Sequence, residues 1–255
     1  MSRHGETANG AGAMEYARYA AEVRFDLLQP DVYPPLEEFV TLTSTLLDRG
    51  TFVDLVNTVL PENDEAMKQR LAPLCAIPRM STFAVGALLN RAVAEMEPRY
   101  AFLNIGVWHG FTLLAGMAGN PDKLCIGVDN FSQFDGPREA FYERFRAIAG
   151  GAHRFHEMDY REYFARIHRE ALGVYLYDGD HRYDHQLEGL RVAEPHFGPN
   201  CLVFVDDTNE VEPRQATLDF VAQSAHAYTT LLDVRTCSNG HPSWWNGLMI
   251  LRRTG

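Results

Sequence analysis

From Tyr100 onward the chain alternates short apolar runs with amphipathic segments five times, and this rhythm limits the fold more than any other feature. The runs are Ala101–Ile105, Leu124–Val128, Ala152–His156, Val174–Tyr177 and Cys201–Val205; the segments after them are Phe111–Ala118, Pro137–Ile148, Tyr160–Glu170, Tyr183–Glu194 and Glu212–His226. Nearly unbroken apolar runs suit strands buried on both faces, and a parallel strand needs a crossover helix to reach its neighbour. Five such units in a row predict an α/β fold with a doubly wound, Rossmann-like parallel sheet. The end differs. Tyr228–Val234 and Gly247–Leu251 flank a loop rich in Ser, Asn, Gly and Pro, which predicts an antiparallel pair at one edge of the sheet.

The residues before Tyr100 lack this rhythm. Residues 1–13 are Gly-rich and polar, which predicts a flexible tail. Residues 14–99 read as a helical cap or lid, with apolar residues at helical spacing over Met14–Leu28, Leu36–Leu47, Thr51–Leu60 and Glu65–Leu74. Pro30, Pro34 and Pro35 break the pattern, and Ser81 is placed to cap a longer helix over Thr82–Glu97. Residues 100–255 then form the core. A chain of 255 residues, 46% of them hydrophobic, supports one large domain or one domain with an added subdomain.

The formal net charge is −11, and the Lys and Arg residues form no block. Nucleic acid and anionic membranes are therefore not expected partners. There is no run of 18 apolar residues and no signal-peptide core at the N-terminus, so the expected location is cytoplasmic. The four cysteines form no CxxC pair, which gives no support to thiolate zinc or thioredoxin-like chemistry.

Chemistry concentrates in two acidic clusters, Asp178-Gly179-Asp180-His181 and Asp206-Asp207, each closing an apolar run. Adjacent strands lie about 4.8 Å apart, so carboxylates at their carboxyl ends converge where open α/β sheets bind ligands. Crowded carboxylates call for a positive partner, and a hard divalent cation such as Mg²⁺ is the simplest one. Asp178, Asp206 and Asp207 are the expected metal ligands, with Asp180 as alternate. The first strand-to-helix turn reads Asn104-Ile105-Gly106-Val107-Trp108-His109-Gly110. Its GxxxG spacing argues against a dinucleotide. Asp129 ends the second strand at the offset where a carboxylate accepts from ribose hydroxyls. Met158-Asp159-Tyr160 follows the third, placed to meet an adenine ring and its amino group.

On these residues the core resembles the class I S-adenosylmethionine (SAM)-dependent methyltransferases. It resembles more closely the macrocin-type sugar O-methyltransferases and their DGDHxY relatives, which share the Gly106-Val107-Trp108-His109-Gly110 loop, the Asp178-Gly179-Asp180 turn and the Asp206-Asp207 pair. The resemblance implies SAM as cofactor, Mg²⁺ at the carboxylates, and a small-molecule hydroxyl as acceptor, a sugar of a natural product being favoured. It implies SAM contacts from Asn104, Gly106, Trp108, Gly110, Asp129, Met158, Asp159, Tyr160 and Asp178. Where that family carries an acidic residue this chain has Asn104, whose amide oxygen can still accept from the SAM ammonium.

His181 is the expected general base, since an unperturbed imidazole titrates near neutrality; Asp180 is the alternative. His185 lies one helical turn on. Trp244 and Trp245 suit either edge packing or a stacking wall for the acceptor. Ile77–Thr82 reads chiefly as a loop leading into a helix. Metal-independent O- or N-methyl transfer and a non-catalytic SAM-binding protein remain as alternatives. The apolar N-terminal helices also offer a surface to a second copy of the chain.

Overall fold

A computed structural model describes residues 15–33 and 52–254. The expected tail over 1–13 and the helix over Leu36–Leu47 lie outside the described residues. The cap begins with a helix over residues 15–22 (α1) and a two-residue strand, β1 (Arg24–Phe25). Helix α2 (Val53–Asn57) runs into β2 (Thr58–Val59), which pairs antiparallel with β1. Then come α3 (Glu65–Leu71), a 3₁₀ turn over Ala72–Ala76, and α4 (Phe83–Glu95).

Three helices expected from periodicity, over Met14–Leu28, Thr51–Leu60 and Glu65–Leu74, are thus shorter than predicted. The β-branched Thr58 and Val59 favour extended backbone. Asn57 also draws the chain aside: its Oδ1 accepts from the amides of Leu27 and Leu28, both at 2.8 Å. The cap of α4 is a second correction. Thr82, not Ser81, holds the N-cap position, and no cap side chain bonds the helix. The Phe83 amide is taken instead by the Asp54 carboxylate of α2, at 2.6 Å.

The core alternates as expected: β3 (Ala101–Ile105), α5 (Phe111–Met117), β4 (Leu124–Asp129), α6 (Arg138–Ile148), β5 (His153–Glu157), α7 (Tyr160–Arg166), β6 (Leu172–Tyr177), α8 (Tyr183–Ala193), β7 (Phe197–Asp206) and α9 (Val211–Gln223). Strands β8 (Tyr228–Val234) and β9 (Leu248–Arg253) complete a seven-stranded sheet of order β5-β4-β3-β6-β7-β9-β8. The β3–β7 strands are mutually parallel, whereas β9 slots antiparallel between β7 and β8. The order reverses at β3, which opens a crevice at the carboxyl ends of β3, β4 and β6.

Successive strand residues enter opposite layers, as the two-residue period requires. Phe102, Cys125, Val174 and Leu202 join one buried cluster; Leu103, Ile126, Tyr175 and Val203 join the other. The first cluster continues without a break into the cap through Tyr16, Leu71 and Leu88. Ten residues of α4 are buried. This explains its near-continuous apolar sequence, since a helix covered on several sides has no polar face to keep. Truncating Leu88, fully buried, to Ala would cost about 2–5 kcal/mol. Among the described residues no helix is long and apolar enough to cross a membrane.

Candidate active site

A cavity of about 550 Å³ opens at the carboxyl ends of β3, β4, β6 and β7. Its floor is where the glycine loop meets the acidic turn after β6. Gly106 has φ +77°, and a Cβ there would lie 1.8 Å from the Asp178 carbonyl oxygen. A side chain at this position is incompatible with the two backbones touching, so glycine is required. Gly110, at φ +99°, turns the chain into α5.

Asp129 clamps this loop. Its Oδ2 accepts from the amides of Val107 and Trp108, each at 2.8 Å, and its Oδ1 from Phe131 at 2.7 Å. A carboxylate has about four acceptor positions, which leaves one for a ribose hydroxyl. Asn104 differs from its expected role. It is fully buried and does not line the cavity. Its Oδ1 accepts from Thr112 Oγ1 at 2.8 Å, and its Nδ2 donates to the Gly106 carbonyl at 2.8 Å. On a strand whose residues alternate sides, Asn104 faces the helix layer, where it pins the loop to α5 rather than reaching a SAM ammonium.

Gly106, Trp108, Gly110, Met158, Asp159, Tyr160 and Asp178 all line the cavity. Asp159 caps α7 through the Arg161 amide, at 2.8 Å. Tyr160 points its hydroxyl to Glu188 at 3.4 Å. Trp108 donates from its indole nitrogen to the Phe134 carbonyl at 3.2 Å.

The acidic clusters do converge. Asp178, Asp206, Asp207 and His181 share one wall. Asp206 is 4% exposed, and its Oδ1 accepts the Asp207 amide at 2.8 Å. Asp207 adopts φ +55°, a strained conformation for a non-glycine residue, and its Oδ1 accepts from Asn246 Nδ2 at 2.9 Å. His181 Nε2 stands 3.5 Å from Asp178 Oδ1 and 3.7 Å from Asp207 Oδ2, while its Nδ1 lies 3.2 Å from Gln186 Oε1.

Burial, followed by repulsion from Asp178 and Asp207, pushes Asp206 well above the usual carboxylate range. Burial also raises Asp178 and Asp207. For His181, burial opposes the charged ring, but the Asp178 hydrogen bond and the neighbouring Asp207 and Asp206 outweigh it and lift the ring to about 9. With the carboxylates unoccupied, their charge thus favours the protonated ring, which differs from the expectation of a free base poised near 7. Asp180 is corrected too: hydrogen bonds from Arg182 draw it down to about 2, and that pairing makes it a weak proton acceptor. His185 lies between two guanidiniums, 3.2 Å from Arg161 Nη2 and 3.1 Å from Arg182 Nη2.

Among the described residues no group of three or more His, Cys, Asp or Glu is spaced as a ready-made metal site. The donor chemistry nevertheless suits a hard cation. Asp178, Asp206 and Asp207 offer oxygens only, and their mutual repulsion is met in this arrangement by the His181 ring.

The tryptophan pair divides. Trp244 is buried edge-on against Phe25, with ring centroids 5.1 Å apart, whereas Trp245 lines the cavity. The Ile77–Thr82 segment also reaches the wall through Pro78, Arg79, Met80 and Ser81. Arg161, Phe131 and Phe134 line it as well, and sequence reasoning did not single them out. Arg161 directly follows the Met158-Asp159-Tyr160 run, the one signal that could have found it.

Residues 103–208 match the family described as Methyltransferase domain. No curated protein matches the sequence. Among solved structures, the chain is similar to a cofactor-bound protein from MTB, with TM-score 0.55 and 14% identity over 87% of this chain and 98% of that one. It is similar to an O-methyltransferase from Bacillus cereus in complex with SAH, with TM-score 0.53 and 13% identity over 86% of this chain and 100% of the other. The O-methyltransferase TomG from Streptomyces achromogenes, involved in tomaymycin synthesis and solved with SAM, gives TM-score 0.51 and 13% identity over 75% and 91% of the two chains. At such identities the structural likeness is one of fold. The family match over residues 103–208 and the sheet order support a SAM-dependent methyltransferase.

Proposed function

We propose that the chain transfers the methyl group of SAM to a hydroxyl oxygen of a small molecule, a sugar unit of a natural product being the favoured acceptor, with Mg²⁺ assistance, as in the macrocin-type enzymes. The observation that carries this reading is Asp206, buried beside Asp178 and Asp207 in the wall of the cavity. The names of the O-methyltransferases with similar folds support oxygen as the acceptor atom.

In this reading SAM lies over the Gly106–Gly110 loop. Asp129 accepts from the ribose, Met158 and Asp159 border the adenine, and the sulfonium faces the acidic wall. That wall favours a cation by simple Coulomb attraction. In the reaction the bond between sulfur and methyl carbon breaks as the bond between acceptor oxygen and carbon forms. SAH departs and the hydroxyl proton passes to a base. Alignment of oxygen, carbon and sulfur can supply about 7–11 kcal/mol in favourable cases. Asp178, Asp206 and Asp207 would hold the metal, which when bound lowers the pKa of a hydroxyl it touches. Charge balance links the metal site to the base. The carboxylates that keep His181 protonated are those that would hold a cation. With those carboxylates neutralised otherwise, the ring would be free to give up its proton, and its Nε2 would then be placed to receive that of the hydroxyl.

The same charge balance also favours a second reading without metal, in which the protonated His181 ring itself stands where the cation would and a neighbouring carboxylate takes the hydroxyl proton. Calorimetric titration of metal-stripped protein with SAM, repeated with Mg²⁺, separates the two. The proposal expects SAM binding under both conditions, and Mg²⁺ binding that disappears in Asp206→Asn. Turnover that survives exhaustive chelation would sink the metal step, and absence of SAM binding would sink the whole reading.

A further inference from the structure

The loop between β8 and β9 is fastened far more firmly than a surface connection needs. Asn209, just past β7, is its hub. The Asn209 amide donates to the Asn246 carbonyl at 2.7 Å. Its Oδ1 accepts the Thr236 amide at 2.9 Å, and its Nδ2 donates to Thr236 Oγ1 at 2.7 Å and Asn239 Oδ1 at 3.1 Å. Asn246 adds bonds to the Gly240 amide at 2.7 Å and to Asp207 at 2.9 Å. His241 and Trp245 pair their backbones in both directions, at 3.1 and 3.0 Å. Trp244 is packed under the cap.

Between these fixed points sits Trp245. It has φ +57°, costly for a bulky residue, of order 1–3 kcal/mol. The side chain is only half-buried and lines the cavity, beside the Asn that bonds Asp207. The surroundings thus hold a strained residue at the cavity wall, next in sequence to the Asn246 that bonds Asp207.

The charges of the wall narrow what that indole can meet. Six carboxylates line the cavity: Asp129, Asp159, Asp178, Asp180, Asp206 and Asp207. The cations there are fewer: the His181 ring, held between Asp178 and Asp207, and three guanidiniums, each already paired, Arg79 with Asp54 at 2.9 Å, Arg161 with Glu188 and Arg182 with Asp180, both at 2.6 Å. An acceptor carrying phosphate or carboxylate would face net repulsion there. An uncharged ring, with one apolar face and hydroxyls at its edge, would meet the indole on its face and carboxylate acceptors on its hydroxyls.

We infer that Trp245 is a specificity-determining residue that carries the apolar face of an uncharged sugar ring, turning one ring hydroxyl toward the Asp206–Asp207 wall. This rests on the O-methyltransferase reading above and deepens it.

The test uses saturation-transfer NMR on the full-length protein loaded with SAH and Mg²⁺. The probes are methyl α-L-rhamnopyranoside, glucose 6-phosphate and catechol. Trp245→Phe keeps a flat face, and Trp245→Leu keeps apolar volume without one. The expected result is transfer to the rhamnoside ring protons in the native protein and in Trp245→Phe. Trp245→Leu should weaken rhamnoside binding roughly tenfold, about 1.4 kcal/mol, with SAH affinity held in all three proteins. Equal rhamnoside binding in Trp245→Leu overturns the inference. So do a preference for glucose 6-phosphate, transfer to catechol alone, and no transfer to the rhamnoside with SAH bound. A native protein that fails to bind SAH fails the methyltransferase reading instead, a different outcome visible before any sugar is added.

Discussion

Asp54 in the cap and Asp206 at the carboxyl end of β7 are equally hidden, each 4% exposed, yet they are held in opposite ways. Asp54 faces the Arg79 guanidinium at 2.9 Å and the Phe83 amide at 2.6 Å. Arg79 itself is cushioned between the rings of Phe52 and Phe111. Asp206 has a single amide donor and, beside it, Asp178 and Asp207. A buried carboxylate with a permanent counter-charge joins two pieces of architecture. Buried carboxylates gathered with like charges are tolerated only where a ligand or a proton completes them.

The contrast can be broken most forcefully from the Asp54 side. Asp54→Ala leaves Arg79 buried without its partner and the first amide of α4 without an acceptor. The expected loss is about 3–5 kcal/mol, read from denaturant unfolding. Asp206→Asn should do the reverse. The metal-free protein should gain stability because a repelled charge is removed, while turnover falls about 10²–10³-fold. A stability loss as large as that of Asp54→Ala would erase the distinction between the two sites.

Acidity provides a gentler probe. His181 is raised from 6.5 to about 9, so its contribution to folding is complete below pH 6.5 and is lost as pH rises through 9. Asp178 is raised from 3.8 to about 6, so the stability tied to its protonated form is complete below 3.8 and is gone above 6. The metal-free protein should therefore melt lower at pH 10 than at pH 6.5. His181→Asn should remove that alkaline decline, and a decline that persists in the variant would assign it to other groups. The smallest effect belongs to Asn209→Ala, which removes side-chain bonds to Thr236 and Asn239 for about 1 kcal/mol of stability. Thermal melting measures that loss.

The same division governs what could be read from the chain. The parallel core was legible because each strand is a local event: β3, β4, β6 and β7 contain or overlap the expected apolar runs, and Asp178, Asp206 and Asp207 converge because the strands that end in them are neighbours. The cap was poorly legible because its shape depends on distant partners. No local pattern announces that Asp54 will cap a helix 29 residues on, or that Asn57 will end α2 by binding Leu27 and Leu28. The misplaced roles at the site have a similar origin. Asn104 was assigned to the cofactor by its position in the loop, but strand alternation turned it to Thr112. His181 was assigned its solution acidity, and three carboxylates around it changed that. Asn209 carried no signal in the sequence, since the loop it fastens lies more than twenty-five residues ahead.

The reversed direction of β9 has a consequence for how such a catalyst can diversify. Parallel strands leave their carboxyl ends at the crevice, and the helices that follow are committed to returning the chain across the sheet. A strand running the other way enters at that same end, opposite Asp206. It brings the β8–β9 connection to the reactive edge without an obligation to cross the sheet. Changes of length or composition in that connection can remodel the acceptor side while the glycine loop, Asp129 and the five crossover units stay as they are. In the reading proposed above, substrate range and cofactor use then lie on separate stretches of chain, free to drift at different rates.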